Sequence, residues 1–183
     1  MLHDVPPPRK LLWFALLSLL LCTLAAGPSA TAQTAAAVYQ QACGPRDASF
    51  DVQLVKGQPL AAPEPGKAIV YFVQDTLGWH YATRVGLDGN WVGAIKNSSY
   101  LSVTVALGEH HTCVDWQKVR HSRAQFAHFT AEAGKTYYFL IRSYNTRSGI
   151  GAGTDVLEFG PTDRDEALFL IASYPRSIAK PMK

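Results

Sequence analysis

Residues 107–116 read L-G-E-H-H-T-C-V-D-W, which places His110, His111, Cys113 and Asp115 within six consecutive positions. These residue types support two chemistries. A thiolate held beside an imidazole that a carboxylate orients is a nucleophile for hydrolysis. Imidazole and thiolate together also ligate zinc. Both depend on the local backbone. On a strand alternate residues share a face, so His111, Cys113 and Asp115 point one way and His110, Thr112 and Val114 the other. Positions two apart lie roughly 7 Å apart at Cα, within reach for His111 and Cys113. As a zinc site the strand is short of ligands. His111 and Cys113 supply two where a structural zinc takes four, and the chain holds no C-x-x-C or H-x-x-x-H motif. His80, His121 and His128 would have to converge on the pair by folding.

The N-terminus bears on the state of Cys113. Arg9 and Lys10 precede an apolar run over 11–26, then Gly27, Pro28 and Ser29, then the small residues Ala30-Thr31-Ala32. That order describes a secretory signal peptide cleaved after Ala32. Two rival readings fit less well. A retained anchor needs roughly 20 apolar residues. A lipoprotein acylated at Cys22 calls for a small residue where Leu21 stands. Cleavage leaves 151 of the 183 residues, enough for one domain with a core, and lowers the formal charge from +3 to +2. No basic cluster is present, so nucleic acid binding has no electrostatic support. Membrane contact is expected only through the signal segment if it is uncleaved. The mature chain keeps two cysteines, and an oxidising compartment makes a Cys43–Cys113 disulfide the expected outcome. Closing a loop of this length stabilises by about 4 kcal/mol in the chain-entropy model. It also removes the thiol from both chemistries.

The elements that position these residues follow from periodicity. Residues 33–48 are an Ala-rich lead-in with little pattern, expected to be disordered or a frayed helix. Residues 49–55 alternate Phe50, Val52 and Leu54 with polar residues, as a half-buried strand does. The run A-I-V-Y-F-V at 68–73 is apolar on both faces and reads as a central strand. Asp88-Gly89 between two strand patterns marks a hairpin. Further strands are expected over 100–107, 109–119, 125–131, 136–144 and 154–160. Over 162–173 the period becomes helical. Thr162 or Asp163 caps it, Asp165 and Glu166 occupy its first turn, and Ala167, Leu168, Ile171 and Ala172 form its stripe. Some eight short strands with one late helix imply an all-β antiparallel sandwich over 49–174, closed by a tail over 175–183.

Three other features have a chemical reading and a plainer one. The loop S-G-I-G-A-G-T-D at 148–155 lacks the G-K-[ST] ending of a phosphate loop and reads as a hairpin tip. Asn97-Ser98-Ser99 fits a glycosylation sequon and reads equally as a polar turn. Trp79, Tyr81, Trp91 and Tyr100 would stack on a sugar or anchor a partner if they shared one surface. Trp91 and Tyr100 read equally as core residues.

The segments G-K-A-I-V-Y-F (66–72), V-G-L-D-G-N-W-V-G (85–93), S-Y (99–100), G-E-H-H-T-C-V-D-W-Q (108–117) and F-T-A-E-A-G-K-T-Y-Y-F (129–139) occur in an order that resembles a bacterial family of small exported β-domains of unknown function. The likeness spans most of 43–173. It implies an immunoglobulin-like sandwich in the cell envelope or outside the cell. It carries over no activity and no catalytic residue. Some relatives have extra cysteines between Asp75 and Thr83, where this chain has none, so a single disulfide is expected. The expectation is an exported, non-catalytic module that binds an envelope protein or a glycan, or supports the envelope, and needs no cofactor. The alternatives are a metal-dependent or thiol hydrolase centred on His110, His111, Cys113 and Asp115, and carbohydrate binding through the exposed aromatics.

Overall fold

A strand apolar on both faces must be covered on both, and the architecture is built around that need. The computed structural model describes residues 34–77, 81–119, 122–146 and 153–182. The expected signal segment and Cys22 lie outside them, as do Trp79, His80, His121 and residues 148–152 of the glycine-rich loop. In chain order the described elements are α1 (Ala35–Ala42), β1 (Phe50–Val55), β2 (Ala68–Leu77), β3 (Thr83–Leu87), β4 (Asn90–Ile95), β5 (Ser99–Val105), β6 (Gly108–Trp116), β7 (Gln125–Ala131), β8 (Thr136–Thr146), β9 (Thr154–Pro161), α2 (Arg164–Ser173) and β10 (Arg176–Pro181).

The strands form two sheets, one in the order β1-β10-β5-β2-β8-β9 and one in the order β4-β3-β6-β7. Between them lies the main core. Ala68, Val70 and Phe72 of β2 meet Val85 and Leu87 of β3, Val114 and Trp116 of β6, and Phe139 and Ile141 of β8. The opposite face of β2, carrying Ile69, Tyr71 and Val73, packs with Tyr100, Leu140, Leu170 and Ile171 beneath α2. Both faces of the A-I-V-Y-F-V run are thereby removed from water. Helix α2 starts as its sequence dictates, with the Asp163 carboxylate accepting from the Asp165 and Glu166 N–H groups. Its buried stripe is Ala167, Leu170 and Ile171, one step round from the expected one, and Ala172 is exposed.

Three expectations need correction. The sheets are not purely antiparallel, because β2 pairs parallel with β8 from Ile69↔Thr136 to Leu77↔Tyr144, and β10 pairs parallel with β5. Between β2 and β8 the chain passes through β3, β4, β6 and β7 of the other sheet and through β5, which pairs antiparallel with the opposite edge of β2. The expected tail contains β10, which lies between β1 and β5 and matches β1 from Phe50↔Pro181 to Val55↔Arg176. R-S-I-A-K-P has almost no apolar alternation, and its position is fixed by neighbours, including a 2.7 Å contact between the buried Ser99 and Ser177 hydroxyls. The lead-in is an ordered helix. Thr34 caps it by accepting from the Ala37 N–H, alanine favours the helical backbone, and Tyr39 and Ala42 are buried.

Candidate functional site

The outer face of the four-stranded sheet, under α1, carries three of the chemistry-bearing residues of β6, His111, Cys113 and Asp115. Cys113 is joined to Cys43, 70 positions earlier, at the end of α1. The close approach requires Gly86 on the neighbouring strand, directly across from Cys113. A Cβ at Gly86 would stand 2.7 Å from both the Cys113 sulfur and the Ala42 carbonyl oxygen. At the hairpin tip Asp88 and Gly89 have φ of 49° and 77°, the double left-handed turn that Asp-Gly favours.

Asp115, next along this face, does not orient a histidine. Arg84 donates to its Oδ2 at 2.7 Å, and both side chains are nearly inaccessible to solvent. The other end of the Arg84 guanidinium donates to the Arg46 and Ala48 carbonyls at 2.7 and 2.9 Å. The Ser122 hydroxyl donates to Asp115 Oδ1. Trp91 completes the cluster. Its ring lies 4.4 Å from the Arg84 guanidinium carbon and its indole N–H donates to the Pro45 carbonyl. Strict alternation would have put Trp91 on the same side as Ile95, in the core. A register shift between Val85 and Gly86 leaves Val92 as an extra residue on β4 and turns Trp91 outward. Arg46 in turn sits 4.0 Å over the Tyr39 ring. The whole set fastens α1 and the segment after it to the sheet.

His110 points the other way, as alternation requires. Its Nδ1 lies 2.6 Å from Asp88 Oδ2 and its Nε2 lies 3.0 Å from the Ala106 carbonyl. Both partners accept, so both ring nitrogens donate, which only the imidazolium does. Burial pushes its pKa down. The hydrogen bonds to Asp88 and Ala106 and the Asp88 charge together push it up by more, leaving it above the ordinary 6.5. The ring also stacks on Phe129, with centroids 5.3 Å apart.

The proposed nucleophile set is thus not assembled. A sulfur in a disulfide supplies neither thiolate nor zinc ligand, which removes the His111 and Cys113 pairing. Among the described residues no three His, Cys, Asp or Glu side chains are grouped to hold a metal ion. The aromatic candidates are also dispersed. Trp79 lies outside the described residues. Tyr81 rests on Trp116 beside the main core, Trp91 is in the α1 cluster, and Tyr100 is buried beneath α2. Asn97 of the sequon has φ of 58° in the turn before β5, and Ser99 is fully buried.

Sequence reasoning passed over Arg84, Arg46 and Gly86. For Arg84 and Gly86 the only signal was their alternation with Thr83, Val85 and Leu87, a pattern that usually marks a solvent-facing side, and Arg46 had none. Two depressions flank the helices. One of about 530 Å³ lies beside Tyr39, Gln40, Gly44, Arg46 and Gly89. The other, about 430 Å³, lies between α2 and the segment after β1, lined by Leu60, Tyr100, Leu168, Ile171, Ala172 and Tyr174.

Two outcomes are expected. Arg84→Met or Asp115→Leu should each lower stability to urea by about 3–5 kcal/mol, because each strands a buried charge. The double variant should lose less than the sum of the two. His110 has a folded-state pKa above its unfolded value, so the stability it contributes is complete below about pH 6.5 and is lost as pH rises through the folded value. Urea midpoints compared at pH 6 and pH 8 should show this decline in the wild type and a smaller one in Asp88→Asn.

No family model, no curated protein and no solved structure matches this chain.

Proposed function

We propose that the chain is an exported, non-catalytic β-sandwich module of the immunoglobulin-like kind, working by binding in the bacterial cell envelope. The observation that carries this reading is the use made of its reactive residue types. Cys113 is bonded to Cys43, Asp115 to Arg84 and Ser122, and His110 to Asp88 and Ala106, so their functional groups hold the fold together. Export is supported by the signal-like order of residues 1–32, by the disulfide, and by the resemblance to exported bacterial domains. Among the described residues no helix is long and apolar enough to cross a membrane.

The binding face is the cleft beside α2. Its volume is in the range of small-molecule sites, and its lining is apolar with phenols at the edges. Leu60 on its rim is 51% exposed. The Tyr174 hydroxyl is occupied by Asp75 at 2.8 Å, so the surface on offer is mainly hydrocarbon and ring. Such a cleft takes an apolar group the size of an aromatic ring or a short acyl chain, presented by an envelope partner.

Export to the periplasm of a bacterial host should yield an intact mass beginning at Gln33, with both thiols alkylated only after reduction. An apolar fluorescent dye should bind this protein saturably. Ala172→Trp, which fills the cleft from an exposed position, should abolish that binding without shifting the melting temperature. Turnover of an ester or amide substrate that disappears in His110→Gln or His111→Gln would overturn the non-catalytic reading.

A further inference from the structure

Arg176 opens β10 beside the α2 cleft. It is in register with Tyr100 of β5 on one side and with Val55 of β1 on the other. Tyr100 lines the cleft, and so does Tyr174, which precedes Arg176 by two residues of extended chain. Residues two apart on extended backbone share a face, so the Arg176 side chain belongs to the face that carries the cleft. Its charge is felt there. Burial raises the pKa of Tyr71 and of Tyr100, and the Arg176 charge opposes that rise at both. Other arginines of the fold are answered, Arg84 by Asp115 and Arg142 by Glu166. Among the described residues no carboxylate pairs with Arg176, and its buried Nε has no hydrogen-bond partner. A half-buried guanidinium left in this state favours an incoming anion, and its planar fork suits a carboxylate.

The rim across from α2 offers main chain. Gly57, Gln58 and Leu60 line it and are exposed. Their N–H groups donate to no acceptor among the described residues. A peptide laid along them gains main-chain hydrogen bonds for which a hydrocarbon chain has no use. At about 430 Å³ the cleft is near the small end of ligand sites, a size for one large apolar side chain rather than several.

On the reading that this cleft is the binding face, we infer that its ligand is the C-terminal residue of a partner polypeptide, with an aromatic or large aliphatic side chain between Leu60 and Leu168 and the terminal carboxylate on Arg176. A chain terminus is the place in a polypeptide where one residue carries both a carboxylate and an apolar side chain. An interior phenylalanine would fill the cleft and leave Arg176 unanswered. An aspartate or glutamate would answer Arg176 and leave the apolar lining wet. Both needs are met together by a terminal residue, and the residues before it run along the free N–H groups of the rim.

The test uses the disulfide-bonded protein with an apolar fluorescent dye bound in the cleft. The competitor is a short synthetic peptide ending in alanine and phenylalanine, made once with a free carboxylate and once as the C-terminal amide. The acid should displace the dye at a concentration about tenfold or more below that of the amide, the lower end of what a hydrogen bond to a charged group contributes. The same acid ending in glycine should not displace it. Arg176→Gln loses no internal hydrogen bond, so it should melt and bind the dye as the wild type does, while acid and amide become equal. Arg176→Lys should keep part of the difference. Three results would overturn the inference and leave the cleft as a binding face: equal displacement by acid and amide, a difference that survives in Arg176→Gln, or displacement by decanoate and not by the acid peptide. A dye that fails to bind the wild type would instead remove the cleft reading, and this inference with it.

Discussion

Arg84 brings a guanidinium to a place where water does not follow, and an unpaired charge there would cost several kcal/mol. The layer outside the small sheet is arranged around meeting that charge. Asp115 supplies the counter-charge, the Arg46 and Ala48 carbonyls accept from the second terminal nitrogen, and the Trp91 face covers the flat side. Because two of these partners are backbone atoms of the segment between α1 and β1, the cation fixes the path of that segment. The disulfide fixes the helix before it, and the bare backbone of Gly86 gives both room to lie flat.

A matching constraint operates on the opposite side of the molecule. Strand β2 is apolar on both faces and lies inside the larger sheet, so it needs cover above and below. The small sheet provides one cover and α2 the other. The molecule is therefore layered, with a helix on the outside of each sheet and the densest apolar packing between the sheets. Stacked rings reinforce that interior. Phe72, Phe139 and Phe159 lie within 6.3 Å of one another, centre to centre.

The parts legible from sequence were those whose signal is local. Asp88-Gly89 encodes its turn by backbone preference, and Asp163 encodes the start of α2 by offering an acceptor to free N–H groups. The Cys43–Cys113 link followed from the two cysteines that remain once an export-like leader carrying Cys22 is set aside. The illegible parts depend on distant partners. β10 has little apolar alternation and is a strand because β1 and β5 leave ladder groups for it to satisfy. Trp91 faces outward because of one extra residue on β4, which periodicity cannot register in advance. The parallel course of β8 against β2 is a property of the whole chain path. The opening motif shows the same division. Alternation correctly separated His110 from His111, Cys113 and Asp115, but the partners that occupy them come from α1, β3 and the β3–β4 turn.

The position of β10 bears on the order in which the fold can be completed. Among the described residues β1 is the first strand in the chain and β10 the last, and the register that joins them begins at Phe50↔Pro181. Contacts between such distant residues form late, since the entropy of closing the loop must be met before they stabilise anything. Until the final residues arrive, β1 lacks its ladder partner and the outer edge of β5 lies open. An unpaired strand edge is where chains join one another wrongly. The polar outward residues of β1, Asp51 and Gln53, suit a strand that must wait for the far end of its own chain. The last strand added is thus the one that seals the larger sheet.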